Sequence, residues 1–441
     1  MEAGTLVDTL FVVVCGLLVF FMNAGFALLE TGLCRARNAA SVLAKNFAVF
    51  GIATLAYWAA GYAFMFGPAD APLGGLVGLS GFFVDGGGQS PAAIPQGAFF
   101  FFQVAFAATA ASIVSGALAE RTKYLSYLAF CAVCCGVVYP IVGHQVWGGG
   151  WLAQLGFLDF AGSTAVHTTG GTAAIVGAWL VGPRTGRYDA AGRARALPGH
   201  SLALATLGTF VLWLGWFGFN AGSALALDGT ALRVLLATAL ASSAGVVSST
   251  LVAWWRLGKP DLSMTLNGCL GALVAVTAGC SVVTPGAAAL VGAIGGGLAV
   301  LAVPLFDRLR IDDPVGALAV HLGCGVFGTL AVGLFAHPTL RPAGSAFGLL
   351  YGGGAGLLGV QLLGVVAVMG FVALASLACF AAVRALIGLR VDPEDEAMGL
   401  DLAEIGVAAY GDALPSRPVE PAPPQEPAAR PPLVTAQPRE A

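Results

Sequence analysis

Eleven apolar runs divide this chain, at 7–33, 41–66, 96–118, 124–143, 162–182, 200–222, 231–255, 263–282, 286–306, 315–336 and 349–388. Each is long enough for a helix to cross the hydrocarbon of a bilayer, which takes ~20 predominantly apolar residues. The expected fold is all-α, a polytopic membrane protein of eleven transmembrane helices, with the last run so long that it must bend or project beyond the lipid. Composition agrees: 58% of residues are hydrophobic and 10% charged, where a soluble domain carries about 25% charged. The first run begins almost at Met1 without a basic segment or a convincing cleavage site, so it is read as a helix and not as a removable signal peptide.

Lys and Arg set the orientation, because cytoplasmic loops retain positive charge. Eleven crossings with the C-terminus in the cytoplasm place all 20 Lys and Arg inside except Arg233 and Arg341, and put the N-terminus outside. The net charge of −3 says little about partners, and no basic cluster points to nucleic acid. The nine cysteines lie almost entirely in apolar runs, which argues against a disulfide framework. Cys131-x-x-Cys134-Cys135 lacks companion metal ligands and reads as small buried hydrophobes.

Two of the five histidines sit inside apolar runs, in matching contexts: Ala165-Val166-His167 and Ala319-Val320-His321, each with glycine four residues on, Gly171 and Gly325. An ionisable side chain in a membrane segment is costly and is a functional candidate by default. The echo extends further, since Asn23-Ala24-Gly25-Phe26-Ala27-Leu28 in the first run recurs as Asn220-Ala221-Gly222-Ser223-Ala224-Leu225 in the sixth. The same motif order twice implies a duplicated unit. If each unit holds five helices, an odd number, the second lies upside down relative to the first. The architecture expected is two inverted five-helix repeats plus a long eleventh helix, an arrangement that puts a transport site near the midplane between the repeats.

Other candidates are more ambiguous. Phe99 to Phe102, Gln103 and Phe106 open the third run, and Phe102 and Phe106 share one helix face; a single Phe there reads first as lipid-facing. Residues 139–151 form an irregular stretch between the fourth and fifth runs, and its glycine triplet lacks the GK[ST] of a phosphate loop. Trp147 in it is an interfacial anchor or offers its face to a cation. Asp159 is the N-cap of the run that holds His167, or a charge that recruits a cation. Ser223 has a hydroxyl that in most helices bonds to a carbonyl one turn back. Glu30 caps or pairs at the cytoplasmic face. Beyond Arg390 the composition changes, dividing the chain into a membrane domain (1–388), a short cytoplasmic C-terminal region (389–412) and a disordered Pro-rich tail (413–441).

At these residues the chain resembles the ammonium transporter (Amt/Rh) family, on its ammonium transporter branch. The likeness runs from about residue 10 to Tyr410. It rests on Asp159-Phe160-Ala161-Gly162 leading to His167, Gly215 to Ser223, Gly116-Ala117-Leu118-Ala119-Glu120-Arg121, Asp312-Asp313-Pro314 leading to His321, and Gly399-Leu400-Asp401. The resemblance implies eleven helices, a homotrimer with a pore through each subunit, and passage of ammonium or ammonia, with no cofactor and no enzymatic activity. It assigns Trp147, Phe106 and Ser223 to an outer recruitment site. Phe106 and Phe219 become the stacked gate below that site, His167 and His321 the paired histidines of the pore, and Asp159 a structural support of the outer site. No metal ligand is implied. The corresponding membrane is the plasma or inner membrane.

Two departures stand out. Where relatives carry His-Gly-Glu soon after Gly-Leu-Asp, this chain has Ile405-Gly406-Val407, so regulation through that tail by a PII-type partner is placed in doubt. The first run has Asn23 where many relatives have Gln. Two other functions fit parts of the pattern: an ammonium sensor of the same fold with little flux, which would signal through an appended domain not visible here, and a membrane enzyme using His167 and His321 as haem or metal ligands, which would need further ligands not found.

Overall fold

The apolar runs fold into helices whose starts are set by short polar side chains. Ser201 accepts from Leu204 N, Asp228 from Thr230 N and Ala231 N, Asp261 from Met264 N, and Thr284 from Ala287 N. Each thereby satisfies amide donors that the first helical turn leaves unpaired. The computed structural model describes residues 2–88 and 90–411, and its regular elements are all helical. In chain order the long elements are α1 (Ala3–Leu33), α2 (Ala36–Phe66), α3 (Gln96–Leu118), α4 (124–146), α5 (163–181), α6 (Leu202–Gly222), α7 (Gly229–Leu257), α8 (Leu262–Thr277), α9 (Pro285–Arg308), α10 (Leu318–Phe335) and α11 (Gly356–Leu386). Most are long and apolar enough to cross a membrane on length and composition; α8 is shorter, at 16 residues, and α5 is divided by a wide π-type turn. The chain is a multi-pass membrane protein.

Three boundaries differ from the expectation. Residues 139–146 are helical and continue the fourth crossing, with a π-type turn at Cys134–Val138 just before Pro140, where the helical bonding is already irregular. The eighth crossing ends at Thr277. The overlong last run is not one element: Leu349–Tyr351 is a separate 3-10 turn, and α11 begins only at Gly356.

The inverted duplication is visible in how α1 meets α6. Cys15 lies against Gly218 and Gly222, Met22 against Gly215, Leu29 against Gly208, and Gly32 against Ser201 and Ala205. One numbering rises as the other falls, so the two related helices are antiparallel. Close approach through small residues is how helices associate without a hydrophobic drive in lipid. A β-carbon at Gly25 would stand 2.8 Å from Leu212 Cγ. Around the bundle, α1, α2, α7 and α11 expose Leu10, Phe47, Leu232 and Leu374, the outward apolar surface a bilayer solvates.

One end of the bundle gathers the basic loops, and they are interlocked. Arg184, 4% exposed, forks onto Asp312 with Nε to Oδ2 at 2.8 Å and Nη2 to Oδ1 at 3.0 Å. Arg35 holds Glu120, and buried Arg121 donates to the carbonyls of Ala119, Gly182 and Asp312. Burial pushes both carboxyls up. At Glu120 the guanidiniums of Arg184 and Arg35 outweigh it, and at Asp312 the Arg184 bond with the charges of Arg121 and Arg184 does. Glu120 therefore titrates below the usual carboxylate range, and Asp312 is held down to about 2.

The stretch after α11 is bound to the same end. Glu396 accepts from Thr185 N and Arg390, Asn38 Oδ1 from Leu400 N, Asp401 from Ser41 N, and Glu404 from Tyr124 N. Gly399, at φ +107°, passes against Arg37 where any side chain would be strained. Residues up to Ala409 form one compact unit. The Pro-rich tail expected at 413–441 lies outside the described residues.

Candidate functional site: a path between the two repeats

The two histidines are placed by one local design used twice. Asp159-Phe160-Ala161-Gly162-Ser163-Thr164-Ala165-Val166-His167 matches Asp313-Pro314-Val315-Gly316-Ala317-Leu318-Ala319-Val320-His321 in its Asp, Gly, Ala, Val and His. The Asp159 carboxylate accepts four backbone N–H bonds, from Gly162 and Ser163 on Oδ1 and from Thr164 and Ala165 on Oδ2, at 2.7–2.9 Å. Asp313 accepts from Val315, Gly316 and Leu318. Both turns pass through a glycine in the left-handed region, Gly162 at φ +118° and Gly316 at +82°. Each then opens a π-type turn that holds the histidine, Ser163–Thr168 and Leu318–Gly323, a helix irregularity frequent at functional sites.

The two turns cross through the glycines that follow. A β-carbon at Gly171 would stand 2.7 Å from Leu322 N, and one at Gly325 2.7 Å from Ser163 O and Thr168 Oγ1. Only hydrogen at these points lets the backbones approach, and the approach brings His167 Nδ1 to 3.2 Å from His321 Nδ1. Both rings are buried. One shared hydrogen must lie between the two Nδ1 atoms, so of two neutral imidazoles one keeps a bare Nε2 and the other carries N–H there. His167 Nε2 has no partner among the described residues.

The ring of His167 stacks on Trp216 at 5.0 Å and on Phe219 at 5.6 Å. Trp216 is fixed in turn by Nε1 donating to Thr277 Oγ1 at 2.9 Å, and Thr277 lies beside Asn220, whose amide donates to Thr238. On one side of the pair, Phe219 stacks on Phe106 with centroids 4.0 Å apart and planes 22° apart. Beyond these rings lies a recess of about 360 Å³ lined by Phe102, Gln103, Phe106, Trp147, Phe160 and Ser223, among others. Trp147 Nε1 donates to Asp159 O at 2.7 Å, and Ser223 Oγ to Phe219 O at 2.8 Å. The Ser223 oxygen keeps lone pairs for another donor. Asp159 faces backbone amides, so of its two expected roles the cap is the one its bonds make. On the other side of the pair a cavity of about 20 Å³ runs past His321, Phe26 and Glu30 toward the basic end.

Comparison with known proteins decides the identity. A family model described as the Ammonium Transporter Family matches residues 10–410. The chain belongs to the ammonium transporter family. The transporter is 43% identical over 421 residues to Amt2, an ammonium transporter of Archaeoglobus fulgidus, covering 92% of this chain and 88% of that one. It is 37% identical over 410 residues to an ammonium transporter of Bacillus subtilis, covering 92% and 99%. Among solved structures it superposes on a sensor Amt protein with TM-score 0.86 at 37% identity, covering 92% and 100%, and on Saccharomyces cerevisiae Mep2 with 0.83 at 26%, covering 93% of each.

The fold thus joins every side chain singled out for the site: Phe106, Trp147, Ser223 and Phe219 on one side, His167 and His321 in the middle, and Asp159 supporting both. Two expectations are corrected. Phe99 and Phe102 are buried instead of facing lipid, because Phe99 packs on Tyr62 and Phe66 of α2 and Phe102 against Gly16 of α1 and Gly222 of α6. Glu30 neither caps nor forms an ion pair; it is 2% exposed and accepts from Asn46 and Ser115. Two contributors went unassigned. Asp313 was legible from the Asp-x-x-Gly-x4-His spacing that it shares with Asp159, whereas nothing in the local sequence singles out Thr277, which serves Trp216 from a distant helix.

Proposed function

We propose that the transporter moves ammonium by recruiting the cation at Trp147, Phe106 and Ser223 and passing it as ammonia between the histidines. The observation that carries this reading is the closed pair at 3.2 Å, roofed by the stacked phenylalanines beneath an aromatic, hydroxyl-bearing recess. Aromatic faces attract a small cation, and the free lone pair of Ser223 accepts one of its N–H bonds. A bare ion in the apolar segment beyond would lose its hydration at a cost of several kcal/mol. Leaving the proton behind removes that cost, and the paired imidazoles offer donor and acceptor nitrogens to neutral ammonia and a route for the proton. Asp159 holds the turn and, through its carbonyl, Trp147.

In this reading Trp147 opens to the outside and the basic end to the cytoplasm of a cell membrane, as the distribution of Lys and Arg supports. The protein assembles as a homotrimer and acts on no bond of its substrate other than N–H. The segment after α11, packed on the loop that follows α5, is the surface a PII-type regulator would read, with Ile405-Gly406-Val407 altering the terms. The test is purified protein in liposomes: an ammonium jump gives a current or a lumenal pH change. A folded protein that binds ammonium and gives neither is a sensor.

A further inference from the structure

At the end of the path away from Trp147 stands a carboxyl that conduction through the histidines leaves without a task. Glu30 lies in the last turn of α1, where the helix dipole is negative and a carboxylate is disfavoured. It is 2% exposed, and a buried carboxylate ordinarily has a cation or a full set of donors around it. Here Oε2 accepts from Asn46 Nδ2 and Ser115 Oγ, both at 2.9 Å, while Oε1 accepts from no donor among the described residues. The neighbouring cation, Lys45, makes no ion pair with it and donates to Thr122 O at 3.0 Å.

Glu30 borders the cavity of about 20 Å³ that also touches His321 and the ring of Phe26. That volume admits one water-sized molecule, and ammonium is of that size. Gly116 keeps the space open, since a β-carbon there would stand 3.4 Å from Glu30 Cδ and press on Val315. Apart from Asn267, whose Nδ2 donates to Val315 O, the remaining walls are apolar, among them Leu29, Ile113 and Leu270.

We infer that Glu30 Oε1 and the face of Phe26 form a second ammonium site, between His321 and the basic end. The carboxylate takes an N–H from a small monovalent cation, which relieves both its own burial and its place at the helix C-terminus. The path then carries a neutral aromatic site at one end and a charged one at the other, with the histidines between. This deepens the conduction reading and rests on it.

The test uses the full chain in liposomes, with wild type, Glu30→Gln and Glu30→Asp compared by ammonium-jump currents. Loss of one charged hydrogen bond at an exit site lowers the maximal current of E30Q about tenfold. The half-saturating ammonium concentration, set at the opposite end, stays at the wild-type value, and E30D recovers part of the current. Unchanged maximal current in E30Q overturns the site. Because E30Q disturbs two buried hydrogen bonds, infrared difference spectra of wild type on exchanging sodium for ammonium supply a second reading: a carboxyl band must shift, and its absence overturns the site whatever the variant does. Wild type that carries neither current nor ammonia flux overturns the conduction reading instead, and this site with it.

Discussion

Replacing Asp159 with asparagine changes one atom and removes half of a cap. The carboxylate receives Gly162 and Ser163 on one oxygen and Thr164 and Ala165 on the other, at 2.7–2.9 Å. Asparagine keeps one acceptor and turns an amino group toward the remaining two amides, leaving two buried N–H groups unpaired at ~1–3 kcal/mol each, so about 2–6 kcal/mol in all. A loss of that size is a large part of what holds a typical domain folded. D159N should unfold several degrees below wild type in detergent, followed by tryptophan fluorescence. It should also carry less ammonium current in liposomes, because the same turn places His167 and its carbonyl anchors Trp147. Asp313→Asn, at the equivalent position of the second repeat, should lose a comparable amount. D159N that melts with wild type and conducts at its level would refute the reasoning.

Ser223→Ala removes one acceptor for a cation, and its half-saturating ammonium concentration should rise about tenfold in the same current assay, with the melting temperature unmoved. Gly171→Ala puts a methyl 2.7 Å from Leu322 N; a backbone atom cannot rotate away, so overpacking should cost ~1–3 kcal/mol in thermal unfolding and reduce current by parting the histidines. Acid should weaken the basic end. Asp312 is depressed from 3.8 to about 2, so its contribution of about 2 kcal/mol is fully present above pH ~4 and is lost as pH falls toward 2. A melting-temperature series should show that loss in wild type and a smaller one in Asp312→Asn, which starts lower at neutral pH.

Membrane helices were legible because lipid allows few backbones and length suffices to count crossings. His167 and His321 were legible as matched candidates because the duplication repeats their context, their pairing was implied by the family resemblance, and antiparallel α1 and α6 follow from five helices per copy. What escaped was decided by neighbours remote in sequence. Phe99 and Phe102 have the look of lipid-facing rings and are buried only because α3 is surrounded. Helix 139–146 was masked by Pro140 and Gly143, which weaken propensity in water but are tolerated in a packed membrane bundle. Glu30 reads as a cap or an ion-pair partner at the cytoplasmic face, yet the nearby Arg35 turns to Glu120. The interlocked basic end could not be foreseen from a charge rule that counts Arg184 and Arg121 without pairing them.

The most direct test of the account replaces both pore histidines at once. Currents on solid-supported membranes after an ammonium jump should be present for wild type and absent for a His167→Ala/His321→Ala double variant that retains the wild-type fold. A double variant that carries the wild-type ammonium current would contradict the claim that the paired imidazoles are the path.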